Sequence, residues 1–284
     1  MLPVVVVVGM VLANDTAKPE PGTFTFKPLD FPDSSSTEAD GINKLGDIVG
    51  FFVDHSGKQH GFLDRQGKFE QLDFPGGTQT RTVGINNQGD IVGSFTDPAS
   101  NTQHGLTGRP GKFIQLNYPR ATSTLALGIN DAGEIVGSFT DSAGHSHGFL
   151  YRSGKFTQLD FPKGNNTSAY GINSQGEIVG SFVDASKNQH AFLRKKGVFT
   201  QLNPPGAINS VAYGVNVHGI VVGSFTDTAQ KGHGFVDRGG SFSQLNVPGA
   251  TSTDANGTNS EGLIVGDYFE GTVEHGYLAT AGKI

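Results

Sequence analysis

The chain between 167 and 205 reads TSAYGIN (167–173), SQGE (174–177), IVGSFVD (178–184), ASKNQ (185–189), HAFLRK (190–195), KG (196–197) and VFTQLNPP (198–205). Four of these pieces are short runs rich in Val, Ile, Phe and Thr, bounded by Gly, Asn or Pro, and none is long and periodic enough for a helix. The stretch therefore predicts four antiparallel strands, A to D, joined by tight turns. Moving outward, Gly-x-Asn followed by Gly-x-Ile/Val-Val-Gly recurs along the chain, with its Asn at 43, 86, 130, 173, 216 and 259. A period in the low forties with one small sheet per unit is the pattern of propeller blades.

The ends of the array say whether it is open or closed. The last unit has A (253–259), B (263–269) and C (275–279) but no D, whereas residues 22–32 (GTFTFKPLDFP) are a D strand without A, B or C. The two fragments complete one sheet, and an open solenoid would instead need polar caps. The expected fold is all-β: a six-bladed β-propeller over 22–284, closed by the N-terminal strand in the last blade. Gly46, Gly89, Gly133, Gly176, Gly219 and Gly262 fall in the A–B turns, where a positive φ is needed. Counting back from each Asn, one face of strand A carries Gly, then a small residue, then Thr or Ser, as in Gly128, Ala126 and Thr124. That narrow face predicts sheets converging on a common axis too tight for a deep cleft.

Composition agrees with a folded domain. Glycine and proline make up 55 of 284 residues, below the roughly 25–30% that marks low-complexity disorder, and 21 Phe supply a core. With 20 Lys+Arg against 26 Asp+Glu there is no basic field for nucleic acid or an anionic membrane. Zero cysteines exclude disulfides, thiolate metal sites and a Cys nucleophile. Residues 2–13 (LPVVVVVGMVLA) are too short for a membrane-spanning helix and end in small residues, so 1–13 is expected to be an export signal, with 14–21 a polar linker. The expected location is extracellular or periplasmic, and the expected state a monomer with no membrane association after export.

The units resemble the bacterial HAF family of probable extracellular repeats. His190-Ala191-Phe192 spells the triplet, and His60-Gly61-Phe62, His104-Gly105-Leu106, His147-Gly148-Phe149, His233-Gly234-Phe235 and His275-Gly276-Tyr277 vary it. The resemblance covers about 22–280 and implies an extracellular setting; it implies no particular reaction.

Candidate chemistry sits in three places. An acid follows each repeat Asn by eleven residues (Asp54, Asp97, Asp141, Asp184, Asp227, Glu270), and the repeat His lies across the B–C loop from it. Such pairs are read as hydrogen bonds that fasten each blade, since a catalytic couple would not occur six times over. His145 and His147 form a His-x-His, but no second cluster completes a metal site, so neither a metal nor a cofactor is expected. A ring of hydroxyls (Thr37, Thr80, Thr124, Thr167, Ser210, Thr253) begins strand A and is expected at one channel mouth, to hold water, a small anion or a sugar hydroxyl.

The D–A and B–C loops vary while the other turns stay uniform, which makes their face the expected binding face. It carries an acidic sector (Asp33, Glu38, Asp40, Asp254) facing a basic one (Arg81, Arg120, Lys163), with Tyr118, Tyr170 and Tyr213 nearby. No strand-turn-helix nucleophile elbow, P-loop or HExxH helix is expected, since the fold offers no helix to carry one. The first reading is a non-enzymatic module that binds a glycan or an extracellular protein, with six similar pockets between blades. A hydrolase or lyase acting on an extracellular polysaccharide at the channel mouth, with Arg81, His104, Arg120 and His147, is the alternative. A pure scaffold is the third.

Overall fold

The computed structural model describes residues 24–281. The expected export signal, the linker and the first two residues of the expected D strand lie outside that span. Twenty-four strands form six separate four-stranded antiparallel sheets arranged as the blades of a propeller. Blade 1 is typical, with A (Ser36–Ile42), B (Ile48–Val53), C (Gln59–Arg65) and D (Lys68–Leu72). Blade 6 takes A (Ser252–Thr258), B (Leu263–Glu270) and C (Val273–Ala281) from the C-terminal part of the chain, and Phe24–Pro28 as its D strand. Phe24 pairs with Ala281 and Pro28 with Tyr277, so the ring closes by strand exchange as the two half-units imply.

Six apolar clusters hold the ring, each spanning neighbouring blades. Val49, Leu63 and Leu72 of blade 1 pack on Ile85, Ile91, Phe95 and Leu106 of blade 2. At the closing seam Leu29 and Val265 of blade 6 meet Ile42, Ile48, Phe52 and Phe62 of blade 1. Burial of each such side chain contributes about 1.5–3 kcal/mol, so the interfaces between sheets carry the fold.

Each conserved-looking piece of the repeat has a geometric cause. The Gly of Ile-Val-Gly in strand B lies under an aromatic ring: a Cβ on Gly137 would overlap the Leu125 carbonyl and come within 2.8 Å of Phe149. In the Leu-Asp/Asn-Phe/Tyr-Pro segment after strand D, the aromatic residue stacks on the strand B Phe of the next blade. Phe31 on Phe52, Phe74 on Phe95, Tyr118 on Phe139 and Phe161 on Phe182 have ring centroids 3.6–3.7 Å apart and nearly parallel planes. The six A–B turn glycines have φ between 72° and 82°, as their place in the turn requires.

The repeat Asn does more than mark the period. Its Oδ1 accepts from the backbone N–H groups two and four residues on, as Asn130 does from Ala132 and Glu134, both at 3.0 Å. Its Nδ2 donates to the carbonyl of the equivalent Asn in the next blade. Asn43 reaches Asn86, Asn86 reaches Asn130, Asn130 reaches Asn173, Asn173 reaches Asn216 and Asn216 reaches Asn259 at 2.9–3.3 Å. Asn259 then donates to Asn43 at 3.0 Å, which makes the girdle continuous. All six are 4% exposed.

The narrow face of strand A is placed differently from expectation. A β-bulge interrupts its register between the small residue and the Gly, for instance between Ala39 and Gly41. Gly41 consequently abuts blade 2, where a Cβ would fall 2.5 Å from the Val83 carbonyl oxygen. Thr82, one bulge earlier in blade 2, faces back and donates to the Gly50 and Phe62 carbonyls of blade 1 at 2.6 and 3.0 Å. The slender positions thus seat blade against blade, leaving the opposite positions to line an open axis.

Replacing Asn259 by Ala removes one girdle bond and both turn bonds at the closing seam, and strands the buried Asn43 carbonyl. The expected cost is about 2–3 kcal/mol, seen in differential scanning calorimetry as a melting temperature lower by roughly 5–10 °C. A shift below about 1 °C would show that the girdle is dispensable.

Candidate functional site

The axis holds a cavity of about 650 Å³ that opens among the D–A and B–C loops, with Gln103, Ser123, Phe139, Thr140 and Ser146 at its rim. Counting from the girdle, most positions five, three and one before each Asn line its wall, with the backbone of the six glycines two before between them. The deepest layer is Ile42, Ile85, Ile129, Ile172 and Val215, almost uniform and apolar. The bulge residues form the middle layer: Asp40, Val83, Tyr170, Tyr213 and Asn256 line the cavity, as does Leu127. Nearest the mouth are Glu38, Arg81, Leu125, Ser168 and Asp254. A second, shallow hollow of about 100 Å³ lies beyond the girdle on the other face.

The two outer layers break the six-fold pattern. Blades 6, 1 and 2 contribute Asp254, Glu38, Asp40 and Arg81, and strands B and C of blade 6 add Asp267 and Glu274. Blades 3 to 5 contribute Leu125, Leu127, Tyr170 and Tyr213 instead, with the two tyrosine rings edge to face at 5.2 Å. Arg81 Nη2 donates to Glu38 and, at 2.9 Å, to Asp40 Oδ1, and the guanidinium lies 4.5 Å over the Phe51 ring. Asn256 Nδ2 donates to Asp267 Oδ1 at 2.9 Å and, across the seam, to the Ala39 carbonyl at 3.2 Å. Tyr277 Oη donates to the Asp254 carbonyl at 2.8 Å.

Crowding sets the electrostatics of this wall. Burial, reinforced by Asp40, raises the Glu38 carboxyl well above the usual range despite Arg81, and burial together with Asp254 does the same to Asp267. Burial raises Asp40 against the pull of Arg81. Asp254 and Glu274 are also raised, by burial first. Arg81 loses hydration, but the Asp40 and Glu38 charges outweigh that and hold its proton more tightly. Burial and the Asp254 charge push the Tyr213 hydroxyl up.

Of the residues singled out in the sequence, Glu38, Asp40, Arg81, Tyr170, Tyr213 and Asp254 line the cavity. The hydroxyl ring does not. Thr37, Thr80, Thr124, Thr167 and Thr253 are 1–2% exposed, and each Oγ1 accepts a backbone N–H at 3.0 Å from the D–A loop, at Phe31, Phe74, Tyr118, Phe161 and Val247. The equivalent residue before Ser210 is Pro204, which has no N–H. Ser210 Oγ accepts from Ala191 N instead. These hydroxyls pin loops, and the expectation that they converge on the channel mouth is corrected. Tyr118 is likewise occupied in stacking on Phe139. Arg120 and Lys163 sit exposed at positive φ in D–A turns, as does Asp33.

The histidines form clasps at the blade edges, away from the cavity wall. His147 Nδ1 lies 3.0 Å from Asp160 and Nε2 3.4 Å from Asp141, with its ring stacked on Phe139. His60, His190 and His233 contact Asp54, Asp184 and Asp227 at 3.0–3.6 Å. His104 Nδ1 contacts Asn117 at 3.1 Å, and His275 pairs with Asp30 rather than with a strand B acid. The clasp acids are stabilised as anions: backbone N–H groups, from Lys58 and His145 first, pull Asp54 and Asp141 down to about 2. His145 is exposed and also turns to Asp141, at 3.5 Å.

The residues that sequence reasoning missed are Asp267, Glu274 and Asn256, which join the Glu38, Asp40 and Asp254 of the expected acidic sector. Their signal was departure from the repeat. Asp267 stands where four blades have Ser94, Ser138, Ser181 and Ser224, and Glu274 where three have Gln59, Gln103 and Gln189.

No family model matches the chain, and no curated protein does. Solved structures do resemble it. A lectin of Aleuria aurantia, determined with Fucα1-6GlcNAc, aligns with a TM-score of 0.53 at 13% identity over 90% of this chain and 99% of its own. The SapL1 lectin, in complex with α-methyl fucoside, aligns at 0.54 and 10% identity over 88% and 97%. TolB from Acinetobacter baumannii aligns at 0.59 and 8% identity over 84% of this chain and 65% of its own. At such identities the likeness is one of propeller fold.

The raised and lowered carboxyls predict opposite pH responses. A group raised in the fold is penalised by ionisation, so in metal-free buffer stability should rise as pH falls from neutrality toward the ordinary carboxylate range near about 4, as the channel acids take up protons. Asp54 and Asp141 act the other way: their contribution is full above the ordinary carboxylate value and is lost as pH falls from about 4 to about 2. Urea midpoints measured from pH 7 to pH 2 should rise and then fall, turning near the ordinary carboxylate value of about 4, and Asp267→Ser should flatten the neutral side.

Proposed function

We propose that the protein is a binding propeller that takes one glycan end in the axial cavity, from the side of the D–A and B–C loops. The observation that carries this reading is the division of the cavity into two walls. One presents carboxyls, a guanidinium and the Asn256 amide; the other presents Tyr170, Tyr213, Leu125 and Leu127. A pyranose has the same division, with hydroxyls around its edge and apolar C–H faces, so carboxyl and amide groups take the hydroxyls while the aromatic side covers a face. The lectin neighbours support the reading at the level of fold. The extracellular or periplasmic setting rests on the apolar segment 1–13 and on the HAF resemblance, and it suits a glycan partner.

This differs from capture in six equivalent pockets. The six blades share one axial cavity and its wall is asymmetric, so a soluble oligosaccharide identified on a glycan array should bind at one per chain in calorimetry. Tyr170→Ala should weaken it at least tenfold, while His147→Ala should leave affinity unchanged and lower the melting temperature by a few degrees. A stoichiometry near six, or full affinity in Tyr170→Ala, would move the site off the axis.

The asymmetry also favours a second reading, hydrolysis or lysis of a polysaccharide, because burial raises the Glu38 and Asp267 carboxyls well above their usual range beside other ionisable groups. New reducing ends or unsaturated products appearing from the bound oligosaccharide would select it.

A further inference from the structure

The acidic wall has a feature that glycan binding does not use. Glu38, Asp267 and Glu274 come from strand A of blade 1 and strands B and C of blade 6, yet one carboxyl oxygen of each lies within 4.8 Å of the other two. That span suits a calcium coordination shell, whose oxygens sit about 2.3–2.6 Å from the ion. Beside them Asp40, only 7% exposed, uses Oδ1 for Arg81, while its Oδ2 is buried with no hydrogen-bond partner. A buried carboxylate oxygen without a donor is costly and is expected to have a ligand in the functional state. The cavity gathers five carboxyls, Glu38, Asp40, Asp254, Asp267 and Glu274, around the single guanidinium of Arg81. If all ionise, the wall carries a net charge of −4.

We propose that this wall is a calcium site, with Glu38, Asp267 and Glu274 as ligands and Asp40 as a further oxygen facing the ion. The donors are all hard oxygens, with no imidazole or thiolate among them, which selects calcium-like ions over zinc or copper. Strand A of blade 1 and two strands of blade 6 meet only because the chain ends share a sheet, so the ion would also bridge the closing seam. The open side of the cavity leaves room for water in the remaining coordination positions. The site stands whether or not a glycan binds above it.

The repeat itself supplies variants that fit the fold. Asp267→Ser and Glu274→Gln install the residues that other blades carry at the same positions. Chelator-treated full-length protein is titrated with calcium chloride by calorimetry at pH 7.5, without glycan, and melted with and without 5 mM calcium. The wild type should bind one calcium per chain with a Kd between about 10 μM and 1 mM, and its melting temperature should rise by about 2–5 °C. The double variant should fold, by circular dichroism, and lose at least tenfold in affinity together with the thermal shift. No saturable heat and no thermal shift in the wild type would overturn the proposal. So would unchanged calcium binding in the folded double variant, or displacement of calcium by an equal concentration of methylammonium, which would mark a site for organic cations.

Discussion

Six asparagine side chains, each donating to the backbone of the next blade, set the radius of this molecule. The bond from Asn259 to Asn43 spans 216 residues of sequence and makes the chain a circle. Because each Asn also caps its own A–B turn, shifting one blade relative to its neighbour would break bonds within the blade as well as between blades. The glycines of strand A complete this constraint from above. With Gly41, Gly84, Gly128, Gly171, Gly214 and Gly257 each against a neighbouring inner strand, the blades approach to backbone contact, and any side chain there would force the ring wider. Apolar burial supplies most of the favourable free energy, but it is non-directional. The girdle and the glycine contacts decide that six blades, and not some other number, satisfy it.

A wall built this way leaves few positions free to differ. Girdle Asn, strand B Gly, the stacked aromatics and the loop-pinning Thr each answer to a neighbour in the same or the next blade, so they repeat. The positions five and three before each Asn answer only to the cavity, and there the blades diverge from carboxylate to guanidinium to leucine to tyrosine. Near-identity elsewhere is the background against which the gathering of five acids into blades 6 and 1 stands out.

The same logic explains what could be read from residues alone. Period, strand count and closure were legible because they follow from turn chemistry and from the complementary half-units at the two ends. The facing of strand A was not, because a one-residue bulge reverses which side a position presents while leaving the alternation of small and large residues intact. Thr124 therefore looked like a channel residue and is a loop anchor, while the bulge residue Leu127 lines the axis. Asp267 and Glu274 lie on strands B and C, which reach the cavity only beside the inner strand of their own sheet. Nothing in their spacing from the girdle Asn announced it; only comparison with Ser94 or Gln103 at the same place in other blades could have done so.

The acids lie at the seam where the ring is joined from two ends of the chain, the interface whose opening would linearise the array. Placing mutually repelling carboxyls there works against closure, and the seam has additions the other five lack. Asn256, in a position held elsewhere by Val, Leu, Tyr or Asp, donates across the seam to Ala39 and back to Asp267, so one amide both bridges the blades and satisfies an acid. Tyr277 replaces the Phe or Leu of the repeat, and its hydroxyl ties strand C to the Asp254 carbonyl on the inner strand. Both substitutions are larger in hydrogen-bonding capacity than in volume, which keeps the packing while adding directional bonds. Charge density and reinforcement coincide at one seam: the mutual repulsion of the carboxyls is retained, and the added hydrogen bonds strengthen the ring locally against it.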